Sequence, residues 1–465
     1  MRPGLGCDTI SIRNNMKISF HGGAREVTGA CYLLESGPST GSGQATKILV
    51  DCGLFQGSNE CEELNFKPFA FKAAEIDAVL ITHAHLDHIG RLPKLVREGF
   101  RGKVFSTAPT KDLAVLMLED ALTISERQRK SLYDREDLDE ILSRWEMISY
   151  QEEFLIGNLE VRFYEAGHIL GSALIEVMSG KKRFLFSGDL GNIPSILLPP
   201  PEFFHNIEYL VIESTYGSRT HEEAKERVLN LERAIEDTAA RGGTLMIPAF
   251  ATERTQEILH LLNTMLLFRR IPEIPVFVDA PLAIRVTEVF EQYTEFYKEE
   301  IRKLFYEHPN LFKFKKLRLT ESVEESKSIN VVNPPKVILA GSGMMTAGRI
   351  LHHARRYLPD PKSILLVIGF QTAGSLGRRL LDGEKIIKIM GEEVEVRAEI
   401  RQISGFSAHA DNPQLFKFVE ANRDTLKRVF VVQGEEAEAL HFSQEVKDRL
   451  GVQADAPLLY EEFDL

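Results

Sequence analysis

Three histidines and one aspartate share the six positions from His83 to His88, in the stretch "THAHLDHIG". The apolar run "DAVLI" precedes them, so they follow a β-strand and stand on the turn toward a helical stretch, "RLPKLVREG". On an extended segment, residues two apart face the same side, so His83 and His85 present their imidazoles together. Imidazole nitrogen and carboxylate oxygen suit Zn²⁺ or Mn²⁺. The stretch therefore predicts a metal site at the end of a strand.

Other apolar runs also end in residues that bind metals or carry protons. These are "KILV" before Asp51, "LEVRFYEAG" before His168, "RFLFSG" before Asp189 and "EYLVI" before Glu213. In layered α/β proteins, ligands and catalytic groups gather where loops leave one edge of the sheet, so we expect these side chains to converge. His168 and Asp189 are the candidates for the remaining ligands, because a second ion would need donors from outside the histidine stretch. The alternation of short β-rich runs with amphipathic helices predicts an α/β protein.

Composition narrows the class of protein further. The 465 residues are enough for two or three domains with sizeable cores. No apolar run approaches the roughly 18 residues that a membrane span needs, and the first residues lack a signal-type apolar core, so we expect no membrane contact and a cytoplasmic protein. The net charge of −12 argues against unselective coating of nucleic acid, although it leaves room for a local basic groove. The cysteines show no CxxC spacing and are interpreted as reduced structural thiols: Cys7, Cys31, Cys52 and Cys61.

Eight segments, in this order, resemble the β-CASP nucleases, the RNA-processing branch of the metallo-β-lactamase fold. They are "FHGGAREVTGACYLLES", "LVDCGLFQG", "ITHAHLDHIGRLP", "GHILGSA", "FSGDLG", "IESTYG", "GSGMMTAGRILHH" and "SGFSAHAD". The resemblance runs from about Met16 to the end of the chain, and so many ordered motifs exclude coincidence. It implies an αβ/βα sandwich with an inserted α/β cap domain.

The division into domains follows from where the motifs and strand-like runs fall. We expect an N-terminal extension (1–15), a first part of the metallo-β-lactamase domain (16–213), the β-CASP domain (214–375) and a C-terminal part of the metallo-β-lactamase domain (376–465). Runs such as "GGTLMIPAF" and "PKVILAGSG" alternate with helices and predict a parallel sheet in the cap. A cap above the metals makes a cleft that admits a single strand of RNA but not a duplex.

The resemblance also implies a role for each site residue. One zinc has the ligands His83, His85 and His168, the other has Asp87 and His88, and Asp189 bridges them. Asp51 lies behind the ligands and orients them. His409, positioned by Glu213, is the general acid that protonates the leaving oxygen. The residues implied in catalysis are thus Asp51, Asp87, Glu213 and His409.

Gln433 departs from the family pattern. In RNA-cleaving members a histidine stands at this position and completes the second zinc site, whereas here "RVFVVQGEE" has a glutamine. Because an amide carbonyl is a weaker zinc ligand than imidazole, we expect two zinc sites of which the second is weak or accepts Mn²⁺. Two interpretations stay open: activity survives at lower metal affinity, or the protein is an impaired nuclease kept for RNA binding.

Glycine-rich turns supply the candidate RNA contacts. "AGSGMM", with Ser342 and Gly343, leads from a strand into a helix, where backbone N–H groups are presented to an anion. "GFQTAGSLGRRL" places Arg378 and Arg379 after a similar turn, and Ser407 lies in "SGFSAHAD". Each turn is equally compatible with a plain strand-to-helix connection.

The function that the sequence favours is a zinc-dependent ribonuclease. It would hydrolyse single-stranded RNA, mainly by internal cuts, in RNA processing or decay. The alternatives are a catalytically impaired RNA-binding β-CASP protein and a DNA nuclease. A homodimer is compatible with the sequence, which does not distinguish internal cutting from 5′ trimming.

Overall fold

A computed structural model describes residues 16–37, 45–369, 371 and 374–465. The predicted N-terminal extension, with Cys7, lies outside the described residues. The strands are β1 (Met16–Phe20), β2 (Tyr32–Ser36), β3 (Thr46–Val50), β4 (Ala78–Leu80), β5 (Lys103–Ser106), β6 (Trp145–Met147), β7 (Phe154–Ile156), β8 (Leu159–Glu165), β9 (Ala173–Ser179), β10 (Lys182–Phe186), β11 (Tyr209–Glu213), β12 (Thr244–Pro248), β13 (Val276–Asp279), β14 (Leu317–Leu319), β15 (Lys336–Ala340), β16 (Ile364–Val367), β17 (Ile386–Ile389), β18 (Glu392–Glu395), β19 (Glu399–Gln402), β20 (Arg428–Val432), β21 (Gln453–Asp455) and β22 (Glu462–Asp464).

The helices connect these strands and cover their outer faces. They are α1 (Asn59–Glu63), α2 (Leu86–Ile89), α3 (Leu92–Arg97), α4 (Ala108–Gln128), α5 (Arg135–Ser143), α6 (Ala224–Arg241), α7 (Arg254–Leu267), α8 (Pro281–Gln292), α9 (Glu299–Glu307), α10 (Val323–Ser328), α11 (Ile350–Tyr357), α12 (Leu376–Leu381), α13 (Asn412–Glu420) and α14 (Glu436–Leu450). Single turns of 3₁₀ helix lie at Leu64–Phe66, Ala73–Glu75, Thr294–Phe296, Ile329–Val331 and Ser404–Phe406. Local chemistry sets several helix starts: Thr107 caps α4 by accepting from the Thr110 N–H, and Asp134 and Asp137 form a capping box on α5.

Two sheets of seven strands form a sandwich. Their orders are β22-β1-β2-β3-β4-β5-β6 and β21-β20-β11-β10-β9-β8-β7. Both sheets mix antiparallel and parallel pairs: β1, β2 and β3 pair antiparallel, whereas β3, β4 and β5 run parallel, with Val50 opposite Leu80. The inner faces share one apolar core, in which Ile18 and Leu80 of the first sheet lie with Ile175 and Phe430 of the second. Helices α3 to α5 cover the first sheet, and α13 and α14 cover the second.

A third sheet belongs to the inserted unit. Its order is β14-β13-β15-β12-β16-β19, and every neighbouring pair is parallel. Apolar side chains of α6 and α7 pack on one face, and those of α11 and the β17–β18 hairpin pack on the other. Such two-sided burial explains the continuous apolar runs of these strands, for example "KVILA" in β15.

These three sheets confirm the predicted fold class, an αβ/βα sandwich with an inserted α/β unit. The third sheet takes its last strand, β19, from beyond residue 375, and the chain then returns to the second sheet with β20. The predicted domain bounds stay a prediction. In the part of the chain that the structure describes, none of the helices is both long enough and apolar enough to span a membrane.

Candidate metal centre and active-site cavity

The strand exits meet at one edge of the sandwich. Strand β4 leads through Thr82 into the loop with His83 and His85, and the short helix α2 begins at Leu86. Neighbouring strands deliver the other predicted residues, each directly or a few positions after the strand ends: Asp51 after β3, His168 after β8, Asp189 after β10, Glu213 as the last residue of β11 and Gln433 after β20. The convergence expected from the sequence is therefore present in the structure.

Four side chains lie close enough together to hold a cation and form what we call the cage: His83, His85, His168 and Asp189. The Nδ1 atom of His85 is 3.0 Å from Nε2 of His83 and 3.3 Å from Nε2 of His168. The Asp189 Oδ2 atom is 3.4 Å from each of the other two histidine nitrogens. Ligands about 2.0–2.1 Å from a tetrahedral zinc stand about 3.3 Å apart, so these donors fit one zinc ion.

Burial prepares the cage histidines for a metal. Removal from water lowers the pKa of His83 and of His168 well below the ordinary value, and it lowers the pKa of His85 to about 3. Their imidazoles are therefore neutral at physiological pH, the form in which a ring nitrogen can donate its lone pair.

Asp51 lies behind the histidine loop and is fully buried. Its Oδ1 accepts from the backbone N–H of Thr82 at 2.8 Å, and its Oδ2 accepts from the Thr82 hydroxyl at 2.8 Å. Oδ2 also lies 2.7 Å from Nδ1 of His88. These bonds lock the start of the loop and orient His88, which is the supporting position predicted for Asp51.

The predicted second group has a different arrangement. The Nε2 atom of His88 is 3.9 Å from the Asp87 carboxylate and 3.4 Å from Asp189 Oδ1. Between them lies the Gln433 side chain, whose Nε2 atom is 2.7 Å from His88 Nε2 and 2.9 Å from Asp189 Oδ1. Burial raises the pKa of Asp87 to about 6. An amide nitrogen therefore stands among the donors that the sequence assigned to a second cation.

His409 and Glu213 form a proton-carrying pair beside the cage. His409 Nδ1 is 3.1 Å from Glu213 Oε2, and the other Glu213 oxygen accepts from the Leu190 N–H at 2.7 Å. His409 Nδ1 also lies 3.8 Å from Asp189 Oδ2. Burial alone would lower the pKa of His409, but Glu213 and Asp189 outweigh it and raise that pKa to about 9. The ring is thus held in its charged form at the wall of a cavity.

A cavity of about 310 Å³ opens beside the cage. Its walls come from both the sandwich and the inserted unit, with His85, Asp87 and His409 on one side and Phe250 and Met344 on the other. A ligand in this cavity would contact the cage and the proton-carrying pair together.

Two polar residues of this site were not expected from the sequence. Thr252, in the loop after β12, places its hydroxyl 2.9 Å from His85 Nε2, which leaves His85 Nδ1 for the cage. Tyr32, at the start of β2, donates its O–H to Gln433 Oε1 at 3.2 Å. Both stand at strand ends, as the predicted residues do, but threonine and tyrosine are common there and carry no distinctive spacing.

The predicted RNA contacts divide into two groups. Ser342 and Ser407 line the cavity, and Gly343 lies against Phe250, where an added Cβ would come within 2.5 Å of the ring. The structure does not bring the two arginines to the cavity wall: Arg378 pairs with Asp382 at 3.0 Å and Arg379 with Glu384 at 2.6 Å.

Family models match three consecutive parts of the chain. Residues 24–238 match the metallo-beta-lactamase superfamily, residues 255–380 the Beta-Casp domain and residues 393–457 the Zn-dependent metallo-hydrolase RNA specificity domain. Together they cover both parts of the sandwich and the inserted unit.

Several proteins are similar over most of their length. Ribonuclease TTHA0252 of Thermus thermophilus is 39% identical over 91% of this chain and 94% of its own. The transcription termination factor FttA of Methanosarcina mazei is 32% identical over 95% of this chain and 70% of its own. The RNase J-like protein of Methanocaldococcus jannaschii is 31% identical over 95% and 98%. A crystal structure of an Enterococcus faecalis protein of unknown function shares the fold, with a TM-score of 0.56 at 13% identity over 97% of this chain and 100% of that one.

Proposed function

The chain belongs to the β-CASP ribonucleases of the metallo-β-lactamase superfamily, and on that premise we propose that it makes internal cuts in single-stranded RNA with zinc as its metal. The family makes it a metal-dependent hydrolase that acts in RNA processing. To this family activity the proposal adds three specific points: the metal is zinc, the RNA substrate is single-stranded, and the cuts are internal.

The observation that carries the proposal is the position of His409 beside the cage. A zinc ligand, Asp189, and the proton-carrying imidazole lie within 3.8 Å of each other, and both border the same cavity. Hydrolysis of a phosphodiester needs stabilisation of charge at phosphorus and a proton for the leaving oxygen. This edge of the sandwich supplies groups for both.

Each residue of the site has a distinct task. When bound, zinc would lower the pKa of a water molecule and neutralise charge on the phosphoryl oxygens. Glu213 accepts from His409 Nδ1–H and so directs the other ring nitrogen to the leaving oxygen. Thr252 and Asp51 keep the imidazoles of His85 and His88 in fixed orientations. Phe250 offers an aromatic face at the cavity wall on which a base could stack.

The cavity supports a single strand as the substrate. It is bounded on opposite sides by the sandwich and the inserted unit, so a phosphate must enter between the two. A single strand can splay its bases and bend into such a space, whereas a duplex presents a rigid and wider body.

A circular RNA tests the place of the cut and the strandedness together. We expect Zn²⁺ and the protein to open a labelled single-stranded circle, which has no end for an exonuclease, and to leave a matched duplex intact. A DNA circle of the same sequence serves as the comparison for the sugar. Loss of a linear RNA from its 5′ end with the circle untouched would replace internal cutting by trimming.

Gln433 favours a second candidate, an impaired relative that binds RNA without cutting it. Its amide nitrogen lies where the sequence assigned a second cation. Under this alternative the protein retains labelled single-stranded RNA on a filter, yet the RNA stays full length with Zn²⁺ or Mn²⁺ present.

A further inference from the structure

The backbone holds Gln433 in one place. The residue follows β20 with a φ of 46°, and its side chain is only 1% exposed. Its N–H donates to the Gly23 carbonyl at 2.7 Å, and its own carbonyl accepts from the Thr215 hydroxyl at 3.1 Å. Because these bonds tie the residue to two loops, its side chain has little freedom to withdraw from the neighbouring carboxylate and imidazole.

The contacts of the amide settle which end faces the metal donors. Asp189 is a carboxylate and can only accept, so the Gln433 atom that lies 2.9 Å from its Oδ1 must be the NH₂ group. The carbonyl end then faces Tyr32, whose hydroxyl donates to it at 3.2 Å. Turning the amide over would place its oxygen against the Asp189 oxygen and remove that hydrogen bond.

The same reasoning applies to His88. Its Nδ1 atom lies 2.7 Å from the carboxylate of Asp51, so Nδ1 carries the proton and donates it. Its Nε2 atom is then an acceptor, and the Gln433 NH₂ group donates to it at 2.7 Å. Both ring nitrogens of His88 are therefore engaged, and no lone pair is left for a cation.

The two carboxylate oxygens of Asp189 have different neighbours. Its Oδ2 atom lies 3.4 Å from the nitrogens of His83 and His168 in the cage, whereas its Oδ1 atom accepts from Gln433. In a site with two ions, Oδ1 would be the atom that reaches the second one. Here the two N–H groups of the neutral Gln433 amide donate to Oδ1 and to His88 Nε2, which are the atoms that a second ion would need as ligands.

We infer that the Gln433 amide closes the second cation site, so that this chain binds a single zinc in the cage of His83, His85, His168 and Asp189. The inference rests on the proposed zinc site and narrows it, since the four cage residues fit one ion and the Gln433 amide occupies the donors that the sequence assigned to a second. Asp87 is then left facing the cavity without a metal partner of its own.

The number of zinc ions bound per chain tests the inference directly. The full-length protein is stripped with a chelator, dialysed against buffered Zn²⁺ and analysed for zinc and protein. We expect one zinc per chain in the natural protein and two in Gln433→Glu, which replaces only the NH₂ group by an oxygen that binds metal. Gln444→Glu, an exposed position on α14, is the matched control and should keep one.

Two zinc ions per natural chain at the same free Zn²⁺ would overturn the inference, as would a Gln433→Glu protein that still binds one. Where the variant fails to fold, anomalous diffraction at the zinc edge from crystals of the natural protein decides, with one peak expected inside the cage and a second peak beside His88 contradicting it. RNA cleavage by the same samples separates the two proposals. Two ions with cleavage overturn only the inference, and one ion without cleavage overturns only the proposed function.

Discussion

In the proposed reaction, proton transfer to the leaving oxygen depends on His409 and on the Glu213 carboxylate that orients its ring. Because a well-placed general acid contributes about 10²- to 10⁴-fold, we expect His409→Ala to lower the rate of RNA cleavage by that factor. Glu213→Gln should lower it less, since the ring survives but loses its partner at 3.1 Å. Initial rates at saturating RNA provide the measurement. His308→Ala, an exposed histidine after α9, is the control, and equal rates in His409→Ala and the control would remove His409 from the mechanism.

We expect Thr82 to influence zinc affinity through Asp51 without contacting the ion. Its hydroxyl donates to Asp51 at 2.8 Å, and its backbone N–H donates to the same carboxylate. Loss of a supporting hydrogen bond behind metal ligands commonly weakens affinity about 10- to 100-fold, so we expect a drop within that range for Thr82→Val in a competition with a coloured chelator. Thr123→Val, exposed on α4, should bind zinc as the natural protein does. An unchanged affinity in Thr82→Val would show that Asp51 holds the loop unaided.

Among the structural elements, the end of β13 carries a buried charge that stabilises the inserted unit. Asp279 accepts from Thr320 and Ser326 and pairs with Arg349 and His353 at 2.7 Å each. Burial alone would raise the pKa of Asp279, but these partners outweigh it and hold that pKa well below its ordinary range. A lowered pKa in the folded state stabilises the protein fully above the unfolded pKa of about 4, and this stabilisation is lost progressively as the pH falls below that value towards the pKa of the folded state.

Asp279→Asn should therefore cost about 3–5 kcal/mol at neutral pH, because Arg349 and His353 lose their buried partner. We expect the difference in urea midpoint between the natural protein and this variant to shrink as the pH falls from 6 to 3. Asp448→Asn, exposed on α14, should follow the natural protein throughout. A difference that stays constant with pH would show that the charge of Asp279 is not what stabilises β13.

Strand exits are also where the sequence was most informative. The apolar runs and the polar residues after them place His83, His168 and Asp189 at one edge without any knowledge of distances. Thr252 could not be found in this way, because its bond to His85 joins positions 167 apart and a threonine in a loop is unremarkable. The sequence also identified Gln433 as a departure, but whether its oxygen or its nitrogen faces Asp189 depends on Tyr32 and His88, which only the folded chain brings together.

Considered as a whole, the molecule forms its cavity by packing the inserted unit onto the sandwich. Apolar side chains of α8 and α4 share one core, and the Tyr293 hydroxyl donates to Asp112 at 2.6 Å. The family and fold were predictable because eight different family motifs are spread, in order, over most of the chain. The RNA contact expected of Arg378 and Arg379 stays a prediction, since both side chains lie outside the cavity wall and pair with nearby acidic residues.

Zinc should stabilise the entire sandwich, because the ligands of the cage come from three separate loops. Free zinc at 100 times the dissociation constant should add about 2.7 kcal/mol to the free energy of unfolding, since only the folded chain assembles the cage. The measurement is the urea midpoint with chelator and with buffered Zn²⁺. His168→Ala should show a much smaller shift, and an equal shift in this variant would place the zinc elsewhere.

The most direct test of a metal-dependent ribonuclease is the cleavage of end-labelled single-stranded RNA by the purified protein with Zn²⁺, beside a chelated sample and His83→Ala. We expect discrete shorter products with Zn²⁺ alone, and full-length RNA in the other two samples. Intact RNA in all three samples, despite measurable RNA binding, or cleavage that survives both the chelator and His83→Ala, would contradict the assignment of this cage to RNA hydrolysis.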